Sequence, residues 1–185
     1  MKKIKLYIAA SIDGFIARNN GDLDWLTEYP INSETNYGYD DFFESIDTVI
    51  MGGRTYRDIL CMDVLWPYKD KTTYVFTRNP LSEKENVHFI TDNILDAIFK
   101  LRKQEGKDIW LVGGGELTTI LLNQDFVDEM IITCIPVIIG KGIPLFPNNP
   151  KESKWNLHNN IQYKNGVTQV TYTLCKYAVF PHASP

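Results

Sequence analysis

The chain has 185 residues, of which 44% are hydrophobic and 23% charged, a size and mix that suit one globular domain with a substantial core. Nineteen Lys and Arg against 23 Asp and Glu leave a formal net charge of −4, which argues against a nucleic-acid binder, since such a protein normally carries a basic face. No apolar run has the length of a membrane span. The three cysteines, Cys61, Cys134 and Cys175, stand far apart and fit free thiols in a cytoplasmic compartment better than a disulfide framework.

In chain order, Lys3 to Ala10 reads as the first strand. Its two leading lysines imitate a secretion signal, but the run is short, is interrupted by Lys5 and Tyr7, and lacks a cleavage site. Ser11 to Phe15 is a turn at Asp13-Gly14, and Asn20-Gly21 a second one, followed by Trp25 among acids. Thr27 to Asp40 is a polar loop of the length of a binding or lid segment. A short helix, Asp40 to Ile46, presents Phe42, Phe43 and Ile46. Thr48 to Met51 is a strand that enters a helix through Gly52-Gly53-Arg54-Thr55. Strands follow at Thr72 to Thr77, before the stop at Pro80, and at Val87 to Ile90. Asn93 is a candidate cap for a helix whose Ile94, Ile98 and Leu101 share one face. Ile109 to Val112 is a strand leading through three glycines into another helix. Glu129 to Pro136 is a strand, Val137 to Phe146 a loop, and Trp155 to Tyr163 and Val167 to Lys176 a hairpin turning at Asn165-Gly166. Strands alternate with helices for two thirds of the chain and then stand alone. That order predicts an α/β domain, 1–177, with a mostly parallel sheet, an antiparallel hairpin at one edge, and a loose tail at 178–185.

The two glycine-rich bends carry the chemistry. A run such as Gly113-Gly114-Gly115 between strand and helix costs backbone entropy and admits close approach of a ligand. A phosphate can then sit on amide N–H groups at the positive end of the helix; a tight turn holding nothing is the plain alternative. The second bend, Gly52-Gly53-Arg54-Thr55, repeats the design, and two of them suggest a dinucleotide held at both ends. A Rossmann fold would place G-x-G-x-x-G after the first strand, which here ends in Ser-Ile-Asp-Gly. Gly140-Lys141-Gly142 lacks the Ser/Thr of a P-loop. Neither the cysteines nor His88, His158 and His182 show metal-ligand spacing, so no metal is expected.

AASIDGFIA, VIMGGRTY, VFTRNP, LVGGGELTTILL and ITCIPVIIGKGIPLF, in that order, resemble the dihydrofolate reductase superfamily. The likeness is greatest to the reductase domain of the bifunctional riboflavin-biosynthesis deaminase-reductase. This resemblance implies a three-layer fold with helices on both faces, NADPH bound across the strand ends, and hydride delivery to a small heterocyclic or ribosylaminopyrimidine-like substrate. It implies that Gly113 and Gly114, joined by a cis peptide, cradle the pyrophosphate beside Gly115, Glu116 and Leu117. Gly53, Arg54 and Thr55 would bind phosphate on the adenosine side, and Thr77 and Arg78 the 2′-phosphate. Ala10 and Ser11 would lie near the nicotinamide. Asp13 is either a proton-handling catalytic residue or a turn residue bonding its own backbone, and Trp25 either walls the site or packs. Related reductase domains pair, so a homodimer is expected.

Tyr39, Asp40 and Phe43 fall where the superfamily grips its substrate, although Asp40 and Asp41 equally suit solvated helix-start acids. Lys71 stands where folate enzymes place an arginine, and no zinc-deaminase spacing is found. The uncertain place of the substrate carboxylate and Lys71 both weigh against dihydrofolate reductase proper, which remains the nearest enzyme alternative. A non-catalytic NADPH-binding sensor is the alternative from another class.

Overall fold

The computed structural model describes residues 1–32, 35–62, 64–82 and 84–176, so the expected tail lies outside the described residues. In chain order the elements are β1 (Ile4–Ser11), β2 (Phe15–Ala17), α1 (Tyr39–Glu44), β3 (Ile46–Gly52), α2 (Gly53–Cys61), β4 (Thr72–Phe76), β5 (Val87–Ile90), α3 (Ile94–Lys103), β6 (Asp108–Gly113), α4 (Gly115–Asn123), β7 (Glu129–Ile135), β8 (Ile143–Pro144), β9 (Trp155–Gln162) and β10 (Thr168–Leu174). Eight strands form one sheet in the order β5-β4-β3-β6-β1-β7-β10-β9. The strands from β5 to β7 run parallel, and the β10–β9 hairpin adds two antiparallel strands at one edge.

Alternation along the central strands builds the three layers, because successive side chains point to opposite faces. Ile4 and Leu6 of β1, Ile50 of β3 and Ile109 and Leu111 of β6 pack against Ile98 and Leu101 of α3 and Leu117 and Leu121 of α4. Val49 and Met51 of β3, Val75 of β4 and Trp110 of β6 meet Phe42 of α1 and Tyr56 of α2 on the other side. Each fully buried aliphatic side chain contributes roughly 1.5–3 kcal/mol. A third, smaller cluster, Trp25, Tyr37, Ile135 and Val167, sits under the loops at the strand ends.

Two local expectations are corrected. Asn93 precedes α3 in a left-handed conformation (φ 46°) and its side chain makes no cap bond; its carbonyl accepts the Ala97 amide at 3.0 Å instead. The segment Val137 to Phe146 is more than a loop. Ile143–Pro144 is a two-residue strand paired antiparallel with β2, both too short to show a periodicity in sequence.

At the end of the sheet remote from these loops, Arg102 of α3 donates to both carboxylate oxygens of Asp128, at 2.9 and 3.1 Å, with both side chains nearly buried. Asp128 also accepts the Ile4 amide at 2.9 Å and the Lys176 ammonium at 2.6 Å. Removing one partner of a buried pair leaves the other charged and unsolvated. Asp128→Ala is therefore expected to lower unfolding free energy by about 3–5 kcal/mol, read as a shift of the urea midpoint at unchanged slope.

Candidate functional site

The sheet opens at its centre. The β1–β6 ladder pairs Ile4 to Leu6 with Ile109 to Leu111 and stops there, although β1 continues along β7 to Ser11 and β6 continues along β3 to Gly113. A register shift between Ile50 and Met51 leaves Val112 as the extra residue on β6. Where the ladder ends, the Trp110 indole donates to the Tyr7 carbonyl at 3.2 Å and takes over its pairing. The resulting crevice runs between Tyr7–Ala10 and Val112–Gly113 at the carboxyl ends of parallel strands. Ligands of open α/β sheets bind in such a place.

Beside it the two glycine bends meet. A Cβ on Gly114 would stand 3.3 Å from both Cα and N of Gly52 and 3.4 Å from the Thr55 hydroxyl. Gly113 and Gly114 take φ of 139° and 91°, values that L side chains rarely adopt. Their peptide is trans, not cis, because the two positive φ angles already turn the chain into α4. Gly52 is the cap and Gly53 the first residue of α2, so the N-termini of α2 and α4 open side by side onto the crevice. Both ends leave amide donors without intrahelical partners.

The cations near the bends are Arg54, Arg57 and Arg78. Arg54 lies 3.8 Å from Asp58, with its Nη2 4.0 Å from the Cβ position of Gly21. Arg57, which sequence reasoning passed over, places Nη1 3.4 Å from the Cβ position of Gly53; Thr77 Cβ is 2.6 Å from the same point. The four-residue step from Gly53 to Arg57, one helical turn, was the available signal. Arg78 is exposed next to Thr77, whose hydroxyl accepts the Asn79 amide at 3.2 Å. Glu116 points to solvent, while Leu117 and Ala10 are core residues that can offer only main-chain groups.

A strap from Val137 to Pro147 covers the crevice's outer side. Asp13 holds it: its carboxylate accepts the Ser11 hydroxyl at 2.7 Å and the amides of Ile139 and Gly140 at 3.1 and 2.7 Å. Asp13 thus ties a distant loop to its own turn. The Ser11 hydroxyl, and then the two amides, keep its carboxyl below the usual carboxylate range. Further along, β8 pairs with β2, Leu145 N–H donates to the Gly14 carbonyl, and Thr119 of α4 donates to the Pro147 carbonyl at 2.7 Å.

On the α1 side, Tyr39 and Phe43 stack at 5.6 Å, and Tyr39 meets Tyr7 edge-on at 6.0 Å. Burial pushes the Tyr7 phenol up to about 12 and raises that of Tyr39, so both stay neutral donors. Asp40 is exposed and accepts the Asn36 side chain at 2.8 Å. Tyr37, unnoticed in sequence, is buried at φ 51°. Its carbonyl accepts Tyr7 Oη at 2.9 Å and Gln169 Nε2 at 2.8 Å, and its hydroxyl accepts Asn165 Nδ2 at 2.7 Å. Trp25 is 6% exposed and packs with Tyr37, Ile135 and Val167; its indole N–H has no partner among the described residues. No group of three or more His, Cys, Asp or Glu gathers there either.

The architecture is that of the dihydrofolate reductase-like fold. It superposes on Enterococcus faecalis dihydrofolate reductase complexed with NADP(H) at a TM-score of 0.68, over 94% of this chain and 96% of that one, with 19% identity. A protein from Shewanella sp. PV-4, assigned to riboflavin biosynthesis without proof of activity, matches at a TM-score of 0.83 and 29% identity over 93% and 98% of the two chains. The uncharacterized protein YwjB of Bacillus subtilis (strain 168) is 42% identical over 167 residues, 90% of this chain and 95% of its own. Residues 2–169 match the RibD C-terminal domain, and the chain belongs to that family.

The Asp13 clasp has a direct test. A carboxylate with a depressed pKa stabilises above its unfolded-state value, and the contribution is lost as pH falls through the folded value. Wild-type Ile139 and Gly140 amides should keep their hydrogen-exchange protection at about pH 5, above the ordinary Asp value. Asp13→Ala should lose it even at neutral pH; equal protection in the variant would refute the clasp.

Proposed function

We propose that the chain is an NADPH-dependent reductase that transfers hydride to a small heterocyclic or ribosylaminopyrimidine-like substrate, as a riboflavin-pathway type enzyme. The observation that carries this reading is the contact between the two glycine bends, which opens two helix N-termini onto one crevice at the strand ends. The residues fit the coenzyme. At Gly114 a side chain would fill the space between the bends, and the Thr55 hydroxyl overhangs the same spot. When bound, the coenzyme supplies the hydride chemistry itself.

The protein's own residues do the rest. The amides at the starts of α2 and α4, with Thr55, hold the pyrophosphate. Ala10 and Gly113, on the parted strands, would orient the coenzyme's ring, and orientation is where much of the rate gain arises. The strap and the Trp25 cluster exclude water. Tyr39 and Phe43 offer an aromatic wall to the substrate, with Asp40 at its rim. Asp13, held ionised, serves to position the strap, since an acid of low pKa is a poor proton donor near neutrality.

Lys71 weighs against a folate. Its ammonium donates to the carbonyls of Phe43 and Ile46, both at 2.8 Å, and closes the end of α1. It is committed there and cannot take a glutamate tail. The eight-stranded sheet supports a single reductase domain. Free thiols at Cys61, Cys134 and Cys175 support a cytoplasmic location. We also infer a homodimer through β9, an eight-residue edge strand with Leu157 and Ile161 exposed, because an open edge of that length invites pairing. Leu157→Lys should then lower the molar mass measured by light scattering from that of a pair to that of one chain.

The reading is tested by titrating tryptophan fluorescence with NADPH and NADH, then following NADPH oxidation with the ribosylaminopyrimidine phosphate and with dihydrofolate. Saturable NADPH binding and oxidation with the pyrimidine compound are expected. Binding without oxidation by either would favour the sensor, and no binding at all would end the coenzyme reading.

A further inference from the structure

Resting on that reductase reading, we infer that Trp110 is a positioning residue for the hydride acceptor. Its indole N–H holds the Tyr7 carbonyl and so sets how far β1 stands from β6 where the crevice begins. Residues two apart on a strand direct their carbonyls to the same side. The Lys3 carbonyl accepts the Ile109 amide at 2.8 Å, so Lys5 and Tyr7 face β6 as well. The ladder ends at Leu6 and Leu111, and the extra residue Val112 draws β6 toward β3. With the ladder ended, the Tyr7 carbonyl is left to a side chain, and the Trp110 indole meets it at 3.2 Å. A main-chain donor in that place would bring the strands to the usual spacing of about 4.8 Å. The indole satisfies the carbonyl with the strands apart, where an unpaired acceptor away from water would be costly.

The donor is itself held. Trp110 is 6% exposed, and five rings meet it near edge-on: Phe42 at 5.3 Å, Tyr68 at 5.4 Å, Tyr39 at 5.9 Å, Tyr7 at 6.2 Å and Phe43 at 6.4 Å. Edge-to-face pairs are favoured over flat sandwiches, so this set restrains the indole. The Tyr7 phenol is engaged elsewhere, donating to the Tyr37 carbonyl at 2.9 Å. The indole bond is therefore the side-chain tie from Tyr7 to β6 beyond the ladder. Tyr39 and Phe43, the wall proposed for the substrate, share this support with the strand separation. The phosphate place is built separately, where Gly114 packs on Gly52 and Thr55 four residues after Trp110. A change at the indole thus bears on the acceptor and the hydride step more than on the hold of the coenzyme.

The test compares Trp110→Phe with wild type, with melting temperatures as the folding control. Phe keeps a ring in the cluster but has no N–H to donate. NADPH affinity, read from the coenzyme's own fluorescence, should stay within about threefold of wild type, while misplaced reactants lower kcat with the ribosylaminopyrimidine phosphate about 10- to 100-fold. A second readout needs no folded variant: the wild-type Trp110 indole proton, followed by 15N NMR. It is assigned by Trp→Phe changes at the other three of the four tryptophans. That proton should exchange slowly and should shift when the pyrimidine compound is added to protein holding NADP+. Unchanged kcat in a folded Trp110→Phe, equal losses of kcat and NADPH affinity, or an indole proton that exchanges fast or ignores the compound would overturn the positioning role and leave the reductase reading standing. Wild type that oxidises NADPH with neither the pyrimidine compound nor dihydrofolate would overturn both.

Discussion

The structure depends on one close approach, main chain against main chain, where Gly52 and Gly114 pack with no side chain between them. It joins the ends of β3 and β6, and so brings the N-termini of two helices on opposite faces of the sheet to one rim. The same join draws β6 toward β3 and away from β1, through the extra residue Val112, and the crevice follows from that. A β-carbon at Gly114 would act at both places at once, by strain at its φ of 91° and by contact at 3.3 Å. The site is thus a property of the sheet's packing rather than a set of groups added to its surface.

The loops then convert an open crevice into a covered one. The strap is tied at three stations, two to the first loop (Asp13 to Ile139 and Gly140, β2 to β8) and one to α4 (Thr119 to Pro147). The last station reaches the first turns of α4, where Pro147 also packs on Gly115. The start of α4 is thus joined to the same strap that Asp13 anchors. Each bond is individually worth about 1 kcal/mol, but together they leave the strap little independent freedom.

Legibility in the sequence tracked the range of the interaction. The parallel sheet, the closing hairpin and the two bends rest on local signals, namely hydrophobic period and Gly placement, and these appear where expected. Arg54 and Arg57 show the limit. They stand three residues apart at the start of α2, the motif singles out Arg54 alone, and only the neighbours Asp58, Gly21 and Thr77 decide which way each points. Asp13-Gly14 likewise has the grammar of a self-bonded turn, yet its carboxylate serves amides more than a hundred residues away. β2 and β8 exist only because each finds the other.

Tyr37 carries the same lesson to the start of α1. A bulky residue with positive φ is strained, by an amount of order 1–3 kcal/mol, and persists only where surroundings over-determine it. Here three side chains from β1, β10 and the hairpin turn, Tyr7, Gln169 and Asn165, all converge on it, and Thr133 of β7 shares Gln169 at 2.8 Å. The strained residue stands two positions before α1, whose Tyr39 and Phe43 stack on each other. Because Gln169 belongs to β10, the antiparallel hairpin that borders the sheet also holds the segment leading into α1.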